Sequence, residues 1–151
     1  MKKLIFLIAV ASTVSIMQPA FAGTPVHPGI NQAAIASFKK DFILTSNVTW
    51  HKVKDVYVVD FYQQDIPYMA YYNEDGVLNS ISNVIEKNML PASVSNRLNK
   101  KYTAARIVNV LKVRSFVGDN YYVIQLVTEN NGQILKAYDD GSIEKFSTVK
   151  K

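Results

Sequence analysis

The chain contains no cysteine. That excludes a disulfide framework, thiolate metal sites, thiol nucleophiles and a lipid carried on an N-terminal cysteine. Histidine is nearly as scarce, with only His27 and His51. Neither brings the co-ligands that a transition-metal site needs. His27 lies in the Pro/Gly-rich stretch "GTPVHPGI", and His51 adjoins Trp50 at a position that reads as a solvent-facing strand residue. There is no G-x-S-x-G elbow, no phosphate loop and no dinucleotide fingerprint. The acidic pairs Glu74-Asp75 and Asp139-Asp140 fall in turn sequences, where nothing would push two carboxyl pKa values apart. These absences imply a non-catalytic chain with no metal and no cofactor. Charge is thin too: only 19% of residues are charged, with a net +5 that is scattered rather than clustered. A nucleic-acid footprint is therefore not expected. The small basic group of Lys100 and Lys101 with Lys112 and Arg114 reads as a solvated helix end that the helix dipole favours.

Long apolar runs are missing except at the start. Lys2 and Lys3 precede an apolar stretch from Leu4 to about Met17, and Ala20-Phe21-Ala22 follows as a small-x-small cleavage site. The stretch is short for a bilayer span of roughly 20 residues. Residues 1–22 are thus expected to be a cleaved signal peptide. The product is expected to be exported, periplasmic or secreted from a bacterial cell, and not inserted in a membrane. Cleavage removes two of the positive charges and leaves a chain of one-domain size. Residues 23–30 read as a flexible lead-in and 31–151 as a single domain.

What the chain has instead is a supply of core. Nine Tyr and seven Phe, with many β-branched residues, favour strands and must supply the stability that disulfides cannot. Ala34, Ile35, Phe38 and Phe42 recur at helical spacing behind Asn31, a fitting N-cap. Strand patterns follow at "NVTWHKV", "YVVDFY", "PYMAYYN" and "VLNSISNVI". Near residue 90 the order restarts. Pro91 opens a helix at its first turn, Val94, Leu98 and Tyr102 form one stripe, and strands follow at "IVNVLKV", "YYVIQLV", "QILKAY" and "SIEKFSTV". At one constant offset Tyr57 falls on Tyr122, Val58 on Val123, Asp75 on Asp140 and Gly76 on Gly141. Ala70 then meets Leu135 while Tyr72 meets Ala137, so large and small residues exchange places and packed volume is kept. A pseudo-repeat of roughly 60 residues is expected, with half-repeats at 31–88 and 89–151 and a short insertion at "RSFVGDN". The fold class is α+β: twice a helix plus four antiparallel strands, joined in one eight-stranded antiparallel sheet with both helices on one face.

The helix opening "LPASVSNRLNKKY", the strand "YYVIQL" and the turn "DDGSI" resemble the PepSY-like group, small exported bacterial proteins related in fold to the β-lactamase inhibitory protein. The resemblance covers about Ile30 to Val149, although the first half lacks the Leu-Pro opening. It implies a tandem fold whose uncovered sheet face and hairpin loops grip a partner protein, with inhibition of an enzyme as one outcome.

The two Asp-Gly stretches invite comparison with calcium loops. Such a loop needs an acidic first ligand and a Glu at its twelfth position. The stretch around Gly76 offers Tyr71 and Ser82 there, and the one around Gly141 offers Lys136 and Ser147. Both fail at both ends and read as hairpin turns.

Strand alternation divides the surface. If Tyr57, Val59 and Phe61 pack under the helices, then Val58, Asp60 and Tyr62 face away, as do Met69, Tyr71, Val123, Gln125, Val127, Lys136 and Tyr138. That Tyr- and Met-bearing face suits an unidentified protein or peptide partner; the alternative is an ordinary half-exposed sheet. Phe116, at the tip of the insertion, is either an anchor for the partner or a residue folded back on the sheet edge. A monomeric binding domain is expected. A self-assembling envelope protein, using its sheet edge or face, is the other class in view.

Overall fold

A computed structural model describes residues 29–129 and 131–150, and side chains as far as Thr148. The expected signal peptide, His27 and most of the expected lead-in lie outside the described residues. Chain order is α1 (Gln32–Asp41), β1 (Thr45–Val53), β2 (Val56–Gln63), β3 (Ile66–Tyr72) and β4 (Leu78–Val84). A 3-10 turn (Lys87–Met89) then leads into α2 (Ala92–Lys101), β5 (Arg106–Ser115), β6 (Tyr121–Val127), β7 (Asn131–Ala137) and β8 (Ile143–Lys150). The eight strands form one antiparallel sheet in sequence order. The expected α+β tandem architecture is the one found.

Both helices begin where their sequences allow. The Asn31 side chain accepts a hydrogen bond from the Ala33 amide at 2.8 Å, which satisfies one of the amide donors a helix leaves orphaned. Pro91 serves α2 as its N-cap residue, one position ahead of the helical turn in which the sequence had put it. Its carbonyl accepts from the Ser95 amide at 3.0 Å, and the missing N–H costs nothing there.

One face of the sheet carries both helices, over two neighbouring cores. The first is aromatic. Phe38 of α1 meets Phe61 and Trp50 edge-on at 5.1 and 5.5 Å between ring centroids, and Phe42 lies 4.8 Å from Phe61. The second is aliphatic, built from Val94 and Leu98 of α2 against Val110, Ile124, Leu126 and Leu135. Ala70, Tyr72, Leu135 and Ala137 are all fully buried, so the large-for-small exchange between halves does fill space on both sides.

The Asp-Gly turns repeat bond for bond. In the first, the Asn73 amide donates to Val77 O at 3.0 Å and the Gly76 amide to Asn73 O at 3.0 Å. In the second, Tyr138 donates to Ser142 O at 3.0 Å and Gly141 to Tyr138 O at 2.9 Å. Gly76 and Gly141 take φ of 77° and 84°, as hairpin-turn glycines do. The turns also anchor the helices. Asn31 Nδ2 donates to Glu74 O at 2.6 Å, and Ser93 Oγ donates to Asp139 O at 2.7 Å. A Cβ on Gly76 would stand 2.6 Å from the carbonyl carbon of Ala33. Close approach to the helix therefore demands glycine as strongly as the backbone angle does.

Candidate binding face

The sheet's other face has no helix on it. Cross-strand register sets its rows. One runs His51–Val58–Tyr71–Ser80–Ser115, the next Asp60–Met69–Ser82–Val113–Tyr121, and a third Val84–Leu111–Val123–Lys136–Glu144. The sequence placed Val58, Asp60, Tyr62, Met69, Tyr71, Val123, Gln125 and Lys136 on one face away from the helices, and register confirms that sharing; Tyr138 follows Lys136 at the end of β7.

Exposure departs from the expectation at two positions. Val58 is only 4% exposed and Tyr71 only 7%, although no helix covers them. Ser80, Ser82, Leu111 and Val113 are buried on the same face. Alternation along one strand says which way a side chain points. It does not say that the large residues of neighbouring strands on a twisted sheet will lean over it. Asp60, Tyr62, Met69, Val123, Gln125, Lys136 and Tyr138 are each half-buried. The face is thus a packed layer with a partly exposed surface.

Two polar groupings lie on this layer. In the first, the Tyr71 and Ser82 hydroxyls share a hydrogen bond at 3.3 Å, and the Tyr71 hydroxyl donates to Met69 Sδ at 3.6 Å. Beside them the Asp60 carboxylate lies 3.3 Å from Nδ1 of His51. Half-burial pushes the Asp60 pKa up, and His51 partly opposes this. The pairing of His51 with Asp60 was not anticipated; the only signal was that both face the same way on adjacent strands. In the second, the Lys136 ammonium sits 4.1 Å from the ring centre of Tyr121 and 5.0 Å from that of Tyr138, a cation between two π-faces. Burial, then the neighbouring Tyr71 and Tyr138, push the Tyr121 hydroxyl from 10.0 to about 12. Tyr71, raised chiefly by its own burial, belongs to the first half, and Tyr121 to the second. The two tyrosines thus influence each other across the junction of the half-repeats, which the β4–β5 ladder forms. Tyr121 was not among the residues singled out in the sequence, because it begins its strand beside the insertion.

Phe116 stands apart from these residues. It is 49% exposed, and the Arg114 guanidinium lies 4.9 Å from its ring centre. Arg114 pairs across the strands with Ile81, which packs against the first core, so Phe116 belongs to the helix side. The open face has little depth. The hollow between Asn109, Leu111, Val123, Gln125 and Ile134 measures about 20 Å³. Small-molecule pockets usually run from about 300 Å³ upward. No group of three or more His, Cys, Asp or Glu side chains placed to hold a metal occurs among the described residues. The arrangement can present tyrosine, a cation and thioether surface to a broad partner.

No protein-family model matches the chain, and no curated protein matches its sequence. The fold does have solved counterparts. A DUF2874 family protein from Bacteroides uniformis superposes with a TM-score of 0.70 at 14% identity, over 80% of this chain and 89% of the other. A candidate periplasmic protein from Bacteroides eggerthii gives 0.70 at 16%, over 80% and 88%. A BLIP-like protein from Bacteroides fragilis gives 0.67 at 14%, over 80% and 87%. The chain therefore has a BLIP-like fold.

Proposed function

We propose that this chain is an exported, non-catalytic binding domain that holds a protein or peptide partner on the helix-free face of its sheet. The observation that carries the reading is a helix-free face whose inner residues, Val58, Tyr71, Leu111 and Val113 among them, are buried while its outer layer remains accessible. Tyr62, Met69, Tyr121, Lys136 and Tyr138 make up much of that layer. Interface centres are rich in tyrosine and methionine, and a rigid, pre-packed platform loses little side-chain entropy on binding. The shallow relief of the face suits a macromolecule better than a small ligand. Export is supported by the likeness to a candidate periplasmic protein, and no helix among the described residues is long and apolar enough to cross a membrane. The BLIP-like fold lends weight to inhibition of an envelope or extracellular enzyme as the consequence of binding; membership of the PepSY-like group, proposed with it, rests on the sequence resemblance.

The test uses partly exposed residues only, so that stability is not confounded. A Tyr62→Ala, Lys136→Ala, Tyr138→Ala variant is expected to unfold at nearly the wild-type temperature. In affinity capture from envelope extract of the producing bacterium it should fail to retain a partner that the wild-type chain retains. The purified pair is then assayed for inhibition of whatever enzyme is captured. Equal capture by both proteins removes the open face as the site.

A further inference from the structure

A second surface lies outside this face, where α2 runs beside the end of the sheet. A groove of about 640 Å³ follows this side of α2 and reaches β8 at its first residue, lined by Ser93, Asn96, Arg97, Lys100, Lys101 and Ile143. The five helical positions recur every three or four residues along the whole of α2, one flank away from the buried stripe of Val94 and Leu98. The flank thus carries three cations. No carboxylate among the described residues lies within ion-pair distance of Arg97, Lys100 or Lys101. The Arg97 charge does help hold the Asp140 carboxyl below its usual range, behind the larger effect of the Ser142 hydrogen bonds. These lysines had read as a solvated helix end grouped with Lys112 and Arg114. The fold groups them instead with Arg97 and the strand β8.

β8 is the last strand of the sheet, and no described segment pairs with its outer side. In the first half the corresponding strand, β4, is not left open. It pairs with β5, Ser82 opposite Val113 and Val84 opposite Leu111. The repeat thus supplies an internal precedent: a fourth strand of this unit accepts a further antiparallel strand. The flank of α1 that corresponds to the basic flank of α2 reads Ala33, Ala36, Ser37, Lys40 and Asp41, with no net charge. Positive charge accumulates only on the helix of the half whose fourth strand is left open. Lys145, exposed and opposite Leu135 on the helix side, extends it along β8.

We infer that the groove between α2 and β8 takes an extended acidic peptide segment, which adds to β8 as a ninth strand while its carboxylates meet Arg97, Lys100, Lys101 and Lys145. Main-chain hydrogen bonds along an edge give such a complex its affinity, and the side-chain charges select the guest. A second copy of this chain is a poor occupant. Pairing β8 with β8 about a two-fold axis sets two copies of the same basic flank side by side.

The test takes the full chain as the cell processes it and titrates three probes. They are a labelled peptide of alternating Glu and Thr, its Lys-for-Glu counterpart, and inorganic polyphosphate. The acidic peptide is expected to bind, more weakly as salt rises, and to slow amide hydrogen exchange within Ile143–Lys150. The lysine peptide should not bind. Replacing Arg97, Lys100 and Lys101 together by Glu should weaken the acidic peptide by about tenfold or more, three exposed pairs being lost. The open-face variant Tyr62→Ala, Lys136→Ala, Tyr138→Ala should bind it unchanged. The inference is overturned by any of four results: no binding, no effect of the charge reversal, no added protection in β8, or loss of the peptide in the open-face variant. Polyphosphate that displaces the peptide from a protein showing no β8 protection identifies a simple anion patch and also overturns it.

Discussion

Tyr121 shows how much a single residue's neighbours decide. Its hydroxyl is held neutral by burial and by two further tyrosines, so the folded chain keeps its proton up to about pH 12. An unfolded tyrosine releases it near 10.0. The contribution of this group to stability is therefore fully present below about pH 10 and is lost as pH climbs towards 12, because the unfolded state gains by ionising first. Urea unfolding across that window should show a steep alkaline decline that Tyr121→Phe makes shallower. Burial also raises Tyr71, Tyr72 and Tyr122, so tyrosine absorbance at high pH should show one fewer late-titrating group in the variant than in the wild-type chain. An unaltered slope would mean the hydroxyl is not held as described. Gly76 and Gly141 make a related point. Positive φ at an Asp-Gly turn was legible from the residue types, whereas the helix backbone pressed against each glycine was not.

Element by element, the apolar periodicity located both helices and all eight strands, because each buries one stripe or one face. It missed the irregularities. The register breaks between Ser46 and Thr49 in β1 and between Ile107 and Asn109 in β5 fall at matching places in the two halves. A bulge depends on which partner residue faces it, and one strand's sequence does not contain that. The exchange of Ala70 and Tyr72 for Leu135 and Ala137 was legible, since it needed only the offset between halves. It can be tested as a unit. Ala70→Leu alone should overpack the first core and cost about 1–3 kcal/mol. Tyr72→Ala alone should open a cavity, break the hydrogen bond from Tyr72 to Asp41 at 3.4 Å and cost about 3–5 kcal/mol. Combined, they give β3 the pattern of β7. The summed loss should then fall short of additive by about 0.5–3 kcal/mol in urea denaturation. Strict additivity would show that the two halves do not share a packing solution.

For the whole molecule, both exposed ends of the sheet bear on assembly. β1 carries a register break and Asn47 at φ 52°, devices that blunt an edge, and β8 carries the basic flank of α2 beside it. Like charge on that flank opposes face-to-face pairing of copies. Sedimentation velocity at micromolar concentration should therefore return a monomer, at low and at moderate salt. A dimer that strengthens as salt screens the flank would point to self-assembly through β8 instead.

Sequence alone determined the elements, their duplication and the direction in which each strand residue points, because periods of 3.6 and 2 and a constant offset are properties of the chain itself. It also determined what chemistry the chain lacks residues for. Tertiary structure alone decided how deep each side chain lies and what it touches. Val58 and Tyr71 disappear into the open face because neighbouring strands lean over them. His51 finds Asp60, and Tyr71 helps to raise Tyr121 across the junction of the halves. Lys100 and Lys101 change from a solvated helix end into part of one wall of a groove with Arg97, because only the fold sets this flank of α2 beside the start of β8.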